Sequence, residues 1–123
     1  MIQVASMLYV AICLGTSVFL LSLILGAPWG YLTQGGKNSG ALPIAARVGA
    51  GVSIVIVASM AAALVSATGA WPNWPSWSGW VALGVQVLST LMNLITPSRP
   101  ERLLWGPVTV VMLLCALVIM TNT

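Results

Sequence analysis

The chain has 123 residues, of which 59% are hydrophobic and only 4% charged, whereas soluble domains are about 45–50% apolar and about 25% charged. The charged side chains are Lys37, Arg47, Arg99, Glu101 and Arg102, with no His and no Asp. Five charges cannot cover and disperse a soluble domain of this size, so a soluble globular protein, a disordered chain and a nucleic-acid binder are all excluded.

Most catalytic chemistry goes with them. Without His there is no imidazole base and no His-ligated metal, and a single Glu provides no carboxylate pair. The expectation is an integral membrane protein, not an enzyme, with no cofactor and no metal.

A bilayer core about 30 Å thick needs about 20 apolar residues of helix to cross it. Four segments qualify, at about 4–26, 44–68, 79–96 and 99–121. Their apolar runs are too continuous for the alternation of barrel strands, so the predicted fold is an all-α, four-helix membrane bundle in a single domain. The first segment has no basic flank, and its apolar run exceeds the roughly 7–15 residues of a signal-peptide core. It is read as a retained helix. Its Ala11 and Gly15 are spaced for close helix packing.

The first connection, 27–43, is rich in glycine and is read as a flexible inner-leaflet loop. Pro28 ends the first helix and Pro43 suits the first turn of the second. The second helix carries small residues four apart, Ala46 and Ala50, then Ala58, Ala62 and Ser66, and is expected to be the central packing element.

The middle connection places Trp71, Trp74, Trp77 and Trp80 within ten residues. Indole rings favour the headgroup level. The cluster is read as an outer interfacial belt, with a platform for a lipid, quinone or partner subunit as the alternative.

The third helix carries Gln86, Thr90 and Asn93 on one face. Amides do not face lipid unsatisfied. This face is either interhelical glue or the lining of a polar path or ligand site.

In the last connection Pro97 stops the third helix. Ser98 and Glu101 fit a capping box for the fourth, which gives the only carboxylate a structural role. Pro107 removes one backbone hydrogen bond and is expected to kink the fourth helix. Beyond it the helix is Val, Leu, Ile and Met, and is expected to be more exposed to lipid. Cys13 and Cys115 are expected to be buried free thiols.

All basic residues fall in the first and third connections. Lys37, Arg47, Arg99 and Arg102 are therefore expected to meet lipid headgroups or a partner on the cytoplasmic side. Both termini and the tryptophan connection then lie outside.

Two stretches carry a resemblance. Gly26, Pro28, Trp29, Gly30, Gly35, Gly36, Leu42, Pro43 and Arg47 form one. The run from Asn93 to Arg99, with Glu101, Arg102, Trp105, Gly106 and Pro107, forms the other. Together they resemble the connections of a family of small four-helix bacterial inner-membrane proteins. The resemblance implies topology and no mechanism. The chain lacks the carboxylate in helix one that small multidrug transporters use.

The functional expectation is a non-catalytic accessory or assembly subunit, or a scaffold, acting through helix–helix and lipid contacts. It would work as a homo-oligomer or inside a larger membrane complex. The alternative is a small oligomeric channel or transporter for a neutral or weakly polar solute, with Gln86, Thr90 and Asn93 along its route.

Overall fold

Backbone polar groups in hydrocarbon must be satisfied within their own segment, so apolar runs of this length close into helices. A computed structural model describes residues 2–26, 43–96 and 99–122. It contains four helices, α1 (Ile2–Ile24), α2 (Ile44–Ala67), α3 (Ser76–Ile95) and α4 (Arg99–Thr121). Each is long and apolar enough to span a membrane. The all-α, four-helix architecture of a multi-pass membrane protein is therefore as expected.

The helix limits follow local chemistry. α1 ends as Gly26 turns to φ +104°, with its N–H donating to the Leu23 carbonyl. α2 ends the same way at Gly69, φ +91°, which donates to the Ser66 carbonyl. Glycine takes this left-handed conformation without a Cβ clash. α4 runs unbroken through Pro107.

α3 begins three residues before its expected start. Ser78 donates from both its backbone N–H and its hydroxyl to the Pro75 carbonyl, closing a first turn ahead of Gly79. Trp77 and Trp80 consequently lie on α3, and only Trp71 and Trp74 lie on the connection. All four are exposed.

Each helix packs against its chain neighbours, and α4 closes the ring on α1. Neighbours run antiparallel. At one end, Gly79 near the start of α3 meets Met120 near the end of α4. At the other, Gly106 of α4 meets Leu94 of α3. The pairs α1–α2 and α3–α4 make the most extensive contacts, so the bundle is two hairpins laid side by side.

The main core joins Ala5, Tyr9 and Cys13 of α1 to Met60, Ala63 and Leu64 of α2, Ala82 of α3, and Met112, Cys115, Ala116, Ile119 and Met120 of α4. Cys13 and Cys115 are both buried and unpaired. A smaller cluster of Leu20, Leu23 and Ala50 holds the other end of the first hairpin.

Two packing expectations are corrected. α4 is the most deeply buried helix, with eight buried residues, and is not the lipid-exposed one. Gly106, Thr109, Met112, Ala116, Ile119 and Met120 recur at helical spacing and form one inward stripe. A uniformly apolar composition conceals that stripe. On α1, Ala11 and Gly15 are exposed, and a Cβ on Gly15 would meet nothing within 4 Å. Their spacing makes no close contact within the chain. Of the α2 residues, Ala50 and Ser66 are buried but Ala58 is exposed.

Ala116→Leu should lower stability by about 1–3 kcal/mol through overpacking. Leu114→Ala, at a position 57% exposed, should leave it nearly unchanged when unfolding is followed in detergent. Equal effects would mean that the inward face of α4 is misassigned.

Candidate functional site

A polar side chain at membrane depth must find a partner there, because neither lipid nor water supplies one. Gln86 and Tyr9 are each 1% exposed. The Tyr9 hydroxyl donates to Gln86 Oε1 at 2.8 Å, linking α1 to α3 across the bundle. Gln86 Nε2 donates at 3.3 Å to both Thr90 Oγ1 and the Thr109 carbonyl. The Thr90 hydroxyl donates to the Gln86 carbonyl at 2.8 Å and lies 3.2 Å from the Thr109 carbonyl. The Thr109 hydroxyl turns back on its own helix, to the Trp105 and Gly106 carbonyls. These groups knot three helices together.

Asn93 does not join the knot. Its amide donates to the Ser89 carbonyl at 2.8 Å, and its side chain lines a separate cleft of about 450 Å³. The three residues expected to share one face thus serve two places. Gln86 and Thr90 close the centre, and Asn93 borders an opening near the charged end.

All four helices contribute to that cleft: Thr16 and Phe19 from α1, Ser53 and Met60 from α2, Ser89 and Asn93 from α3, Glu101 and Trp105 from α4. Phe19 meets Trp105 edge-to-face, with ring centroids 5.1 Å apart. Thr16 Oγ1 is buried and makes no hydrogen bond. Sequence reasoning passed over Tyr9, Thr16, Ser89 and Thr109, and took Ser53 only as a small packing residue. The available signal was a hydroxyl placed deep in an apolar helix, which needs a partner.

Glu101 stands in the first turn of α4, where a carboxylate suits the helix dipole, and is only 8% exposed. Its expected capping partner, Ser98, lies outside the described residues, as do Lys37 and most of the 27–43 connection.

Arg47 and Arg102 lie against helix ends within the fold. Arg102 Nη1 donates to the Thr96 carbonyl at 3.0 Å, at the C-cap of α3. Arg47 reaches back to the end of α1, where a Cβ on Gly26 would lie 3.7 Å from Arg47 Nη2. Cations at helix C-termini meet unsatisfied carbonyls and the negative end of the dipole. Arg99 is exposed at the start of α4. Among the described residues no cluster of His, Cys, Asp or Glu is suited to hold a metal.

Removing either end of the Tyr9–Gln86 bond strands the other, at about 1–3 kcal/mol. Tyr9→Phe and Gln86→Leu together should therefore cost less than their sum, with a coupling of about 0.5–2 kcal/mol in a double-mutant cycle of unfolding. Additive costs would show that the two side chains do not interact.

No family model, no curated protein and no solved structure matches the chain, so the family that its two connections resemble is not shown by these comparisons.

Proposed function

We propose that the chain is a non-catalytic membrane protein, an accessory or assembly subunit or a scaffold, that acts through helix–helix and lipid contacts. One observation carries this reading. Gln86 and Thr90, the polar side chains best placed to line a route through the bundle, are buried in hydrogen bonds to Tyr9 and to the Thr109 carbonyl. A solute route along α3 would have to break those bonds. The outward faces of the helices are apolar, with Met7, Leu14, Val55, Leu88 and Leu114 among many exposed large side chains. Such faces suit lipid and partner helices. Membrane lipids are its surroundings, and a second copy or a larger membrane complex is its working partner.

The membrane is the inner, or plasma, membrane of a bacterium, with both termini and the tryptophan connection outside. Arg47, Arg99 and Arg102 share one end of the bundle, and basic residues in short connections stay in the cytoplasm. Ser76→Cys should react with a membrane-impermeant maleimide in intact cells, and Arg99→Cys only after permeabilisation. The reverse pattern would invert the topology.

Reconstituted in liposomes, the protein should add nothing to the leak of glycerol or urea. Extraction in mild detergent should yield an assembly larger than one chain. Solute flux that Gln86→Leu abolishes would overturn the scaffold reading in favour of a channel, and a uniform monomer would remove the proposed assembly.

A further inference from the structure

The cleft at the charged end does not stop at mid-membrane. A second hollow, of about 340 Å³, lies between α2 and α3 toward Trp74 and Trp77. Ile56, Met60 and Val85 line both hollows, so the two form one groove. From Trp77 to Asn93 it follows α3 for about 24 Å at the helical rise. It therefore reaches past the middle of a hydrocarbon core about 30 Å thick. Ile56 and Val85 are exposed, which opens the groove sideways toward lipid.

Its two ends differ in chemistry. The tryptophan end is lined almost entirely by apolar side chains. The charged end gathers Thr16, Ser53, Ser89, Asn93 and Glu101. There the Ser53 hydroxyl donates to the Gly49 carbonyl at 3.0 Å, and one Asn93 amide proton goes to the Ser89 carbonyl. These protons are turned back onto their own helices. What Ser53 and Asn93 chiefly offer a ligand is therefore oxygen lone pairs. The buried Thr16 hydroxyl makes no bond at all, an omission uncommon in a packed interior. Ligand sites between bundle helices typically have about 300–1,000 Å³, apolar walls and a few converging polar groups.

We propose that the α2–α3 groove binds a single-tailed amphiphile whose head group donates hydrogen bonds, a long-chain alcohol or amine. The head sits among Thr16, Asn93 and Glu101, and the tail lies along Met60 and Val85 toward the tryptophans. This rests on the reading of the protein as one that works through lipid contacts, and it names the lipid chemistry.

The test uses the full chain in phosphatidylcholine nanodiscs, whose headgroup donates no hydrogen bond. The probe is a long-chain alcohol with a diazirine at the middle of its chain. Photolysis should place the label on groove residues such as Met60 and Val85. Excess unlabelled alcohol or amine should displace it, and the methyl ether of the same chain should not. Stronger displacement by the amine supports the site with the Glu101 charge taking part. Thr16→Val should weaken the alcohol roughly 2- to 10-fold, as expected for the loss of one hydrogen bond. Val85→Trp should block labelling while the unfolding midpoint stays within the range of the native protein. If Val85→Trp unfolds the chain, the Thr16→Val comparison decides. Label spread over the lipid-facing positions Met7 and Leu14 of α1, or equal displacement by the ether, would overturn the proposal. Those outcomes leave the assembly intact. Solute flux would overturn the scaffold reading and leave the labelling pattern unchanged.

Discussion

The hydrogen bond from Tyr9 to Gln86 is the constraint around which the bundle is arranged. A primary amide in hydrocarbon costs several kcal/mol if its donors and acceptor stay empty. Gln86 can meet that demand only by facing the interior of the ring. Once it does, α3 can present just one face to the centre, and Gly79, Ala82 and Thr90 are buried with it. Tyr9 must then stand opposite on α1, and α4 must bring the Thr109 carbonyl within reach. Apolar packing alone is weakly directional in a membrane, because lipid tails are as apolar as leucine. A polar contact with fixed geometry supplies the direction that packing lacks.

The two halves of the bundle differ. On the tryptophan side, Tyr9, Cys13, Leu64, Cys115 and Ile119 close into a continuous core. On the charged side, among the described residues, Leu20, Leu23 and Ala50 form a smaller second cluster inside the first hairpin. There the cleft is lined by the small side chains of Ser53 and Ser89 among residues of all four helices.

Much of the fold was legible in the sequence, for reasons tied to particular residues. Long apolar runs fixed the number of helices, and the end of the first at Gly26 was read correctly, whereas the start of α3 directly after Pro75 was not. The inward turn of Gln86 and Thr90 followed from the cost of an unsatisfied amide. The burial of α4 was not legible. Its Val, Leu, Ile and Met are apolar on every side, and only contact with neighbours distinguishes Ala116 from Leu114. Nor was the reach of Arg47 to Gly26 or the bond from Arg102 to the Thr96 carbonyl. Positive charge near a helix end predicts a membrane side, but which carbonyl the guanidinium meets depends on where the preceding helix stops. The site was legible in part, since Asn93 and Glu101 drew notice by residue type while Thr16, Ser53 and Ser89 passed as ordinary membrane hydroxyls.

Arg47 and Arg102 each occupy the fourth residue of the second helix of a hairpin, and each reaches back to the end of the first. The bundle is therefore one motif used twice, with both copies pointing the same way through the bilayer. Two such copies set side by side have two equivalent seams. In this chain the seams differ. Near the charged end Phe19 meets Trp105 across the α1–α4 seam, and Ser53 and Ser89 line the opening at the α2–α3 seam. The entrance from the lipid thus marks a broken pseudo-symmetry, and a perfectly repeated chain would have two such entrances or none.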